Sequence, residues 1–379
     1  MHLNLRMSFS AQIDSILDNP SSELTGFRRL LEPCSDRALE EMACRSVVLT
    51  RRHFGRTMRM FAPLYLSNEC INNCAYCGFS RDNAIMRVTL EVEQMAVEAR
   101  HLAQEGFRNV LLVAGEHPKF VSGGYMEQCI RRLFREIPSI SLEVAPMEAE
   151  EYRPLVEAGA EGLVVYQETY DREAYRELHT AGPKKDYDWR LDTAERGYEA
   201  GFRRLGIGVL FGLSEWRREA VALAAHLFHL QRVCWKSQLT VSMPRLRPAA
   251  GSFEPKHPFK DREFTQLLCA LRITFPQVGI VLSTREPAPL RDALSTLGVT
   301  MMSAGSHTEP GGYTGQGADQ LHETLRGRKV ESSCSATTAT EQFSIGDERS
   351  SFEVASMLRA RGLEPVWKDW DAAILGSPA

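Results

Sequence analysis

Three cysteines stand within eight residues, Cys70, Cys74 and Cys77, in the order Cys-x3-Cys-x2-Cys. They follow a short apolar segment, Ala62 to Leu66, that reads as a strand. Thiolates on one tight loop can each hold one iron of a cubane cluster, and a cubane has a further iron that this loop leaves without a protein ligand. An open metal position is what a catalytic centre keeps and a structural centre closes. Structural zinc needs four ligands, and no second Cys-x2-Cys or His-x3-His stands elsewhere in the chain. A disulfide framework fits less well, because nine cysteines is an odd number and few for 379 residues. Cys34, Cys44, Cys129, Cys234, Cys269 and Cys334 are scattered singly and read as small packing residues.

The elements that must position such a loop show in the apolar pattern. Eight short apolar runs follow one another: Leu64–Leu66, Val110–Val113, Leu142–Ala145, Gly162–Val165, Gly206–Leu210, Leu239–Ser242, Gly279–Leu282 and Val299–Ser303. Amphipathic segments separate them, for example Val92 to Phe107 and Glu219 to Leu230. Continuous apolar strands alternating with helices predict a parallel sheet covered on both faces, and eight such units predict a (β/α)8 barrel. In a barrel the chemistry lies at the carboxyl ends of the strands. There stand the cysteines, Gly115-Glu116-His117, Gln167-Glu168, Pro244-Arg245, Ser283-Thr284-Arg285-Glu286 and Ser303-Ala304-Gly305-Ser306. The expected organisation is an N-terminal helical extension over residues 1–60, the barrel over 61–310, and a C-terminal loop and helical cap over 311–379. Within the last part, Gly315 to Gln342 is rich in Gly, Ser, Thr and charge and reads as a long mobile loop, and Ser350 to Ile374 reads as helical.

A formal net charge of −4 gives no electrostatic argument for nucleic acid. The pairs Arg131-Arg132 and Arg203-Arg204 read as solvated helix faces. No apolar run reaches the length of a membrane span, and the N-terminus lacks a secretory pattern, so the expected location is cytoplasmic.

The cluster loop, with Tyr76 before the third cysteine and Gly78-Phe79 after it, resembles that of the radical S-adenosylmethionine (SAM) enzymes. Further runs narrow the resemblance: Tyr166-Gln167-Glu168-Thr169-Tyr170, His179-x2-Gly182-Pro183-Lys184-x-Asp186, Arg190-Leu191, Pro244-Arg245-Leu246-Arg247-Pro248, Ser283-Thr284-Arg285-Glu286, Pro310-Gly311-Gly312-Tyr313 and Trp367-Lys368-Asp369-Trp370-Asp371. In order and register from about residue 60 to 371 the chain is similar to the radical SAM tyrosine lyases of thiamine biosynthesis. The resemblance implies one 4Fe–4S cluster, SAM as cosubstrate, and cleavage of the Cα–Cβ bond of L-tyrosine to 2-iminoacetate and p-cresol. It also implies thiazole synthase as the consumer of the iminoacetate, and an electron donor such as flavodoxin or ferredoxin. The tyrosine lyase that matures iron hydrogenase carries a second cluster on a C-terminal Cys-x2-Cys; this chain has no such pair after Cys77. Two other classes remain to be separated: a cluster-carrying electron-transfer protein, which needs no SAM pocket, and a radical SAM enzyme for another aromatic amino acid.

The same resemblance carries roles onto single residues. Glu116 corresponds to the position that meets the methionine amino group of SAM, Glu168 to the acid on the SAM ribose hydroxyls, and Arg190 to a partner of the SAM carboxylate. Ser283 and Arg285 correspond to the residues that hold the substrate carboxylate, with Ser303 as a third contact. A planar guanidinium suits a carboxylate bidentately. Arg245 and Arg247 either serve SAM or close the barrel rim. His117 and His179 are candidate proton handlers, although a lone histidine is more often structural. Trp367 and Trp370 read as packing of the cap. Replacing Cys70, Cys74 or Cys77 by Ala is expected to abolish 5′-deoxyadenosine formation, whereas Cys234→Ala or Cys334→Ala should leave it largely intact. Iron assay of the reconstituted protein should return about four irons per chain, and a value near eight would reveal a second cluster.

Overall fold

Strands buried on both faces can close on themselves only if every backbone edge is paired, and here the eight expected strands do so. In the computed structural model, which describes residues 8–331 and 336–368, they are β1 (Thr57–Ser67), β2 (Asn109–Ala114), β3 (Ser139–Glu143), β4 (Ala160–Glu168), β5 (Arg204–Val209), β6 (Gln238–Ser242), β7 (Gly279–Leu282) and β8 (Met301–Ser303). Neighbours pair in parallel in chain order, and β8 returns to β1 with Met301 beside Arg59 and Ser303 beside Phe61. Helices cover the outside. Val92–Gln104 starts with a reciprocal cap between Glu91 and Gln94, and it buries Met95, Ala96, Ala99 and Leu102 against the barrel. Trp216–Val233 buries nearly a whole apolar face.

The lower end of the barrel is closed by charge. Arg204 opens β5 and is buried, with its Nη2 2.7 Å from Glu161 Oε1 at the start of β4. It therefore does not belong to a solvated helix face. Arg131 and Arg132 do lie on a helix, Gly123–Leu133, and pair with Glu127 and Glu136.

Three helices precede β1: Ile13–Asp18, Ser22–Leu30 and Asp36–Phe54. The third ends at Gly55, whose φ of 64° turns the chain into the first strand. That strand begins at Thr57, earlier than the apolar pattern alone marks, and β4 runs on through Glu168. Cys129, Cys234 and Cys269 are buried packing residues, whereas Cys44 is exposed; Cys334 lies outside the described residues.

Two expectations for the C-terminal part are corrected. The stretch read as a mobile loop contains strands His322–Leu325 and Arg328–Lys329, and the first pairs antiparallel with Ile85–Arg87 just beyond the cysteine loop. Its composition hides a sheet because the partner strand is far away in sequence. Of the segment read as helical, Ser351–Ala360 is a helix, but Glu364–Val366 is a strand that pairs with the start of β1. Trp367 packs edge-on to Phe107, with ring centroids 5.0 Å apart, as a cap residue would. Trp370 and the rest of the terminal run lie outside the described residues.

One buried ion pair ties the eighth strand to the segment before the last helix. Arg291 and Asp347 are both fully buried and bonded, and Arg291 also donates to the Ser303 carbonyl. Burial alone would raise the Asp347 carboxyl, but Arg349 and Arg291 hold it below its usual value. Its stabilising contribution is therefore present above the unfolded carboxyl range and lost as pH falls through the folded value. Asp347→Asn leaves a buried, uncompensated guanidinium and should cost about 3–5 kcal/mol, read as a lower midpoint in urea at neutral pH, with the deficit shrinking in acid.

Candidate active site

The cysteine loop leaves β1 and sinks into the mouth of the barrel, where protein groups satisfy much of its backbone. Asn68 donates to the carbonyls of Met86 (2.8 Å) and Thr340 (3.1 Å). Asn83 donates to the carbonyls of Cys77 (3.1 Å) and Gly78 (3.0 Å). Arg87, 1 % exposed, donates to the carbonyls of Asn68, Phe79 and Ser80 and, at 2.6 Å, to Thr324 of the small sheet. Gly115 permits the closest approach: a Cβ there would lie 2.2 Å from the Glu69 carbonyl oxygen.

Cys70, Cys74 and Cys77 line one cavity together with Glu116, Glu168, Lys184 and Arg190. Burial pushes the thiols of Cys74 and Cys77 up, and the Lys184 ammonium works against it. Desolvated thiols become ligands when a metal takes the place of their protons. Three thiols in one cavity, bordered by acids and cations but by no fourth cysteine among the described residues, fit a cluster with one iron left open.

Around that position each polar group is held by another. Asn72 Nδ2 donates to Glu116 Oε2 at 2.6 Å, and its Oδ1 accepts from the Lys184 amide at 2.9 Å. Lys184 Nζ lies 2.6 Å from Glu168 Oε1, and Arg190 Nη2 lies 3.3 Å from the same oxygen. Arg190 Nε donates to the Tyr166 carbonyl at 2.7 Å. Burial works to raise the Glu168 carboxyl, but the charges of Lys184 and Arg190 outweigh it and hold it below the usual range. Glu168 has a φ of 73°, uncommon for a residue other than glycine. Arg190 is buried, so it is no surface ion pair.

A second cavity adjoins the first across the barrel. Ser283, Arg285 and Ser303 line it, with Tyr65, Tyr166 and Phe343. The Arg285 guanidinium lies 3.3 Å from the centre of the Phe343 ring, and among the described residues no carboxylate pairs with it. Ser303 Oγ accepts from the Thr284 amide at 3.0 Å, and Ser306 Oγ, buried on the same wall, has no hydrogen-bond partner among the described residues.

Other expected residues go elsewhere. Arg245 binds Glu286 and, at 2.7 Å, Asp261, so it closes the rim. Among the described residues Arg247 reaches the Ser344 carbonyl, at 3.5 Å. His179 has both ring nitrogens engaged, one with the Tyr76 hydroxyl and one with the Tyr175 carbonyl, each at 2.8 Å. Burial drives it down to about 3, which makes it a neutral strut of the loop. His117 packs against Phe120 beside Glu116. Sequence reasoning missed Lys184, although it stands in a quoted motif, and Asn72, Glu143 and Gln342. Gln342 belongs to the stretch read as mobile, yet its Oε1 accepts from the Tyr65 hydroxyl at 2.7 Å in the seam between the cavities.

A family model for the radical SAM superfamily matches residues 64–225, and one for the biotin and thiamin synthesis associated domain matches 242–364. The chain is 39% identical over 373 residues to the 2-iminoacetate synthase of Escherichia coli (strain K12), covering 98% of this chain and 94% of the relative. Among solved structures it is similar to the FeFe-hydrogenase maturase HydG from Carboxydothermus hydrogenoformans, with a TM-score of 0.79 at 32% identity over 95% of this chain and 83% of the other. It shares its fold with methylornithine synthase (PylB), with a TM-score of 0.70 at 20% identity over 95% and 97% of the two chains. Among the described residues no helix is long and apolar enough to cross a membrane. Gly115→Ala drives a methyl into the Glu69 carbonyl, so the reconstituted variant should hold well under half the iron of the parent while its far-ultraviolet dichroism is unchanged.

Proposed function

The chain belongs to the 2-iminoacetate synthase family of radical SAM enzymes, and from that premise we propose how its side chains divide the work. The reaction cleaves the Cα–Cβ bond of L-tyrosine to 2-iminoacetate and p-cresol for the thiazole ring of thiamine, and it needs a 4Fe–4S cluster and SAM. When bound, these supply the 5′-deoxyadenosyl radical that takes a hydrogen atom from the tyrosine amino group. The protein's own part is binding, orientation and the exclusion of water.

In this reading Cys70, Cys74 and Cys77 hold a single cluster. Glu116, fixed by Asn72, receives the methionine ammonium of SAM. Glu168, kept anionic by Lys184, accepts the ribose hydroxyls. Arg190 pairs with the SAM carboxylate while its Nε stays on the Tyr166 carbonyl. Ser283, Arg285 and Ser303 hold the carboxylate of tyrosine. The observation that carries the assignment is the Arg285 guanidinium, stacked on Phe343 and, among the described residues, without a carboxylate of its own, in a cavity that adjoins the cysteines. A cation fixed in plane and left unpaired is a preorganised carboxylate clamp.

The proposal extends to the chain's organisation and partners: a helical extension over 1–60, the radical SAM barrel over 61–310, and a C-terminal cap over 311–379. It also includes a cytoplasmic location, thiazole synthase as consumer of the iminoacetate, and a flavodoxin or ferredoxin as electron donor.

Arg285→Lys keeps the charge but loses the planar fork. Tyrosine affinity should fall by roughly 1–3 kcal/mol, measured as tyrosine KM, while the SAM-induced change in the electron paramagnetic spectrum of the reduced cluster persists. If SAM binding collapses and tyrosine binding survives, Arg285 belongs to the cofactor. Assaying p-cresol and 3-methylindole from a panel of amino acids tests the substrate itself.

A further inference from the structure

Three residues line both cavities: Val113, Glu143 and Gln342. Gln342 is engaged with Tyr65, and Val113 is apolar. Glu143, the last residue of β3, is therefore the ionisable group at the seam. Its carboxylate has no hydrogen-bond or ion-pair partner among the described residues. The side chain is only partly buried and its carboxylate faces the cavities, where it is left to meet a ligand.

The chemistry at the seam calls for a base. The hydrogen atom leaves from the amino nitrogen of tyrosine toward the cluster side, so with the carboxylate on Arg285 the amine must face the boundary between the cavities. An amino acid arrives from neutral water as an ammonium ion, whose nitrogen has no lone pair to stabilise a radical. The other candidates near the seam are unsuited. Burial pushes the phenols of Tyr65 and Tyr166 up, so neither supplies a phenolate. Glu168 is held by Lys184 and Arg190, and His179 has both nitrogens engaged.

We propose that Glu143 takes one proton from the α-ammonium of bound tyrosine, so that the neutral amine faces the cluster cavity. An N–H bond breaks, an O–H bond forms, and the electron pair stays on nitrogen. The pair –NH3+ and –COO− becomes –NH2 and –COOH with no change in net charge. A site closed to water favours the uncharged pair. The assignment rests on the reading of Arg285 as the carboxylate clamp.

The charged and titratable groups around Glu143 come from several elements: Tyr65 on β1, Tyr166 and Glu168 on β4, Arg285 after β7, and Lys184 and Arg190 beyond β4. Burial raises the carboxyl to about 7, against the pull of Arg285 and with a push from Glu168. The base is present only above that value. The rate of p-cresol formation should therefore rise as pH increases through about 7 and then level off.

The test uses reconstituted full-length enzyme and two variants, Glu143→Gln and Glu143→Asp. For E143Q we expect p-cresol formation at pH 7 to fall by about a hundredfold or more, the usual contribution of a positioned base. The acid limb near 7 should give way to a slope of about tenfold per pH unit, as solvent replaces the base. Tyrosine affinity by calorimetry should stay within about fivefold, and the SAM-induced spectral change should persist, which separates lost proton transfer from lost folding. E143D should recover part of the rate and keep the limb. An E143Q enzyme with the parental rate and pH profile, or one whose tyrosine affinity falls as far as its rate, would overturn the proposal; the second result would make Glu143 an ammonium anchor. R285K probes the clamp separately, since it should raise KM without moving the limb. An unchanged tyrosine affinity in R285K sinks the clamp, while the role of Glu143 is still read from the limb.

Discussion

A loop that carries three thiols into the mouth of a barrel gives up water along much of its backbone, and each orphaned carbonyl there costs about 1–3 kcal/mol. The remainder of the site depends on meeting that demand. Arg87 meets it at both ends of the loop, spreading its donors over the Asn68, Phe79 and Ser80 carbonyls. Asn68 and Asn83 donate to further carbonyls from within the loop and its exit, and Asn72 accepts the Lys184 amide. Arg87 is in turn oriented by Thr324, so a hairpin from the last part of the chain sets the shape of a loop near its start. Gly78 and Gly115 are needed for the same reason, since a side chain at either would strike a backbone carbonyl of the packing that holds the loop.

With the loop fixed, the barrel sorts charge by strand. The end of β4 and the segment after it gather Glu168, Lys184 and Arg190 into an ion-paired cluster beside the cysteines. The ends of β7 and β8 present hydroxyls and a cation that no carboxylate among the described residues pairs with. The two halves thus differ in charge, one a carboxylate held between two cations, the other a cation beside hydroxyls and aromatic rings. Only a narrow wall of β2, β3 and residue 342 parts them. Proximity of this kind lets a reactive species act within a few ångströms of where it forms, before water intervenes.

Much of this was legible before the fold was seen. The barrel strands announce themselves because each is a short apolar run, and the cysteine spacing admits few readings. What stayed hidden is hidden for physical reasons. The strand His322–Leu325 has an ordinary polar composition and becomes a strand only because Ile85–Arg87 offers an edge. Arg204 looks like half of a surface pair, yet it is buried against Glu161, a partner 43 positions away. Glu143 sits in an apolar run like any strand-end acid, and its significance comes from two cavities that no local pattern encodes. Arg245 shows the reverse: a tempting motif residue whose guanidinium is spent on Glu286 and Asp261.

The pairing of Met86 with Glu323 joins residues more than two hundred positions apart. The entropy of closing so long a loop grows only slowly with its length, but closure cannot precede the synthesis of both ends. During translation the barrel strands emerge and pair one after another, whereas the thiol loop waits for the hairpin before Arg87 finds Thr324 and before Thr340 and Gln342 close over Asn68 and Gly78. The segment whose chemistry defines the molecule is thus made early but can take its final packing only after a hairpin more than two hundred positions later has been made.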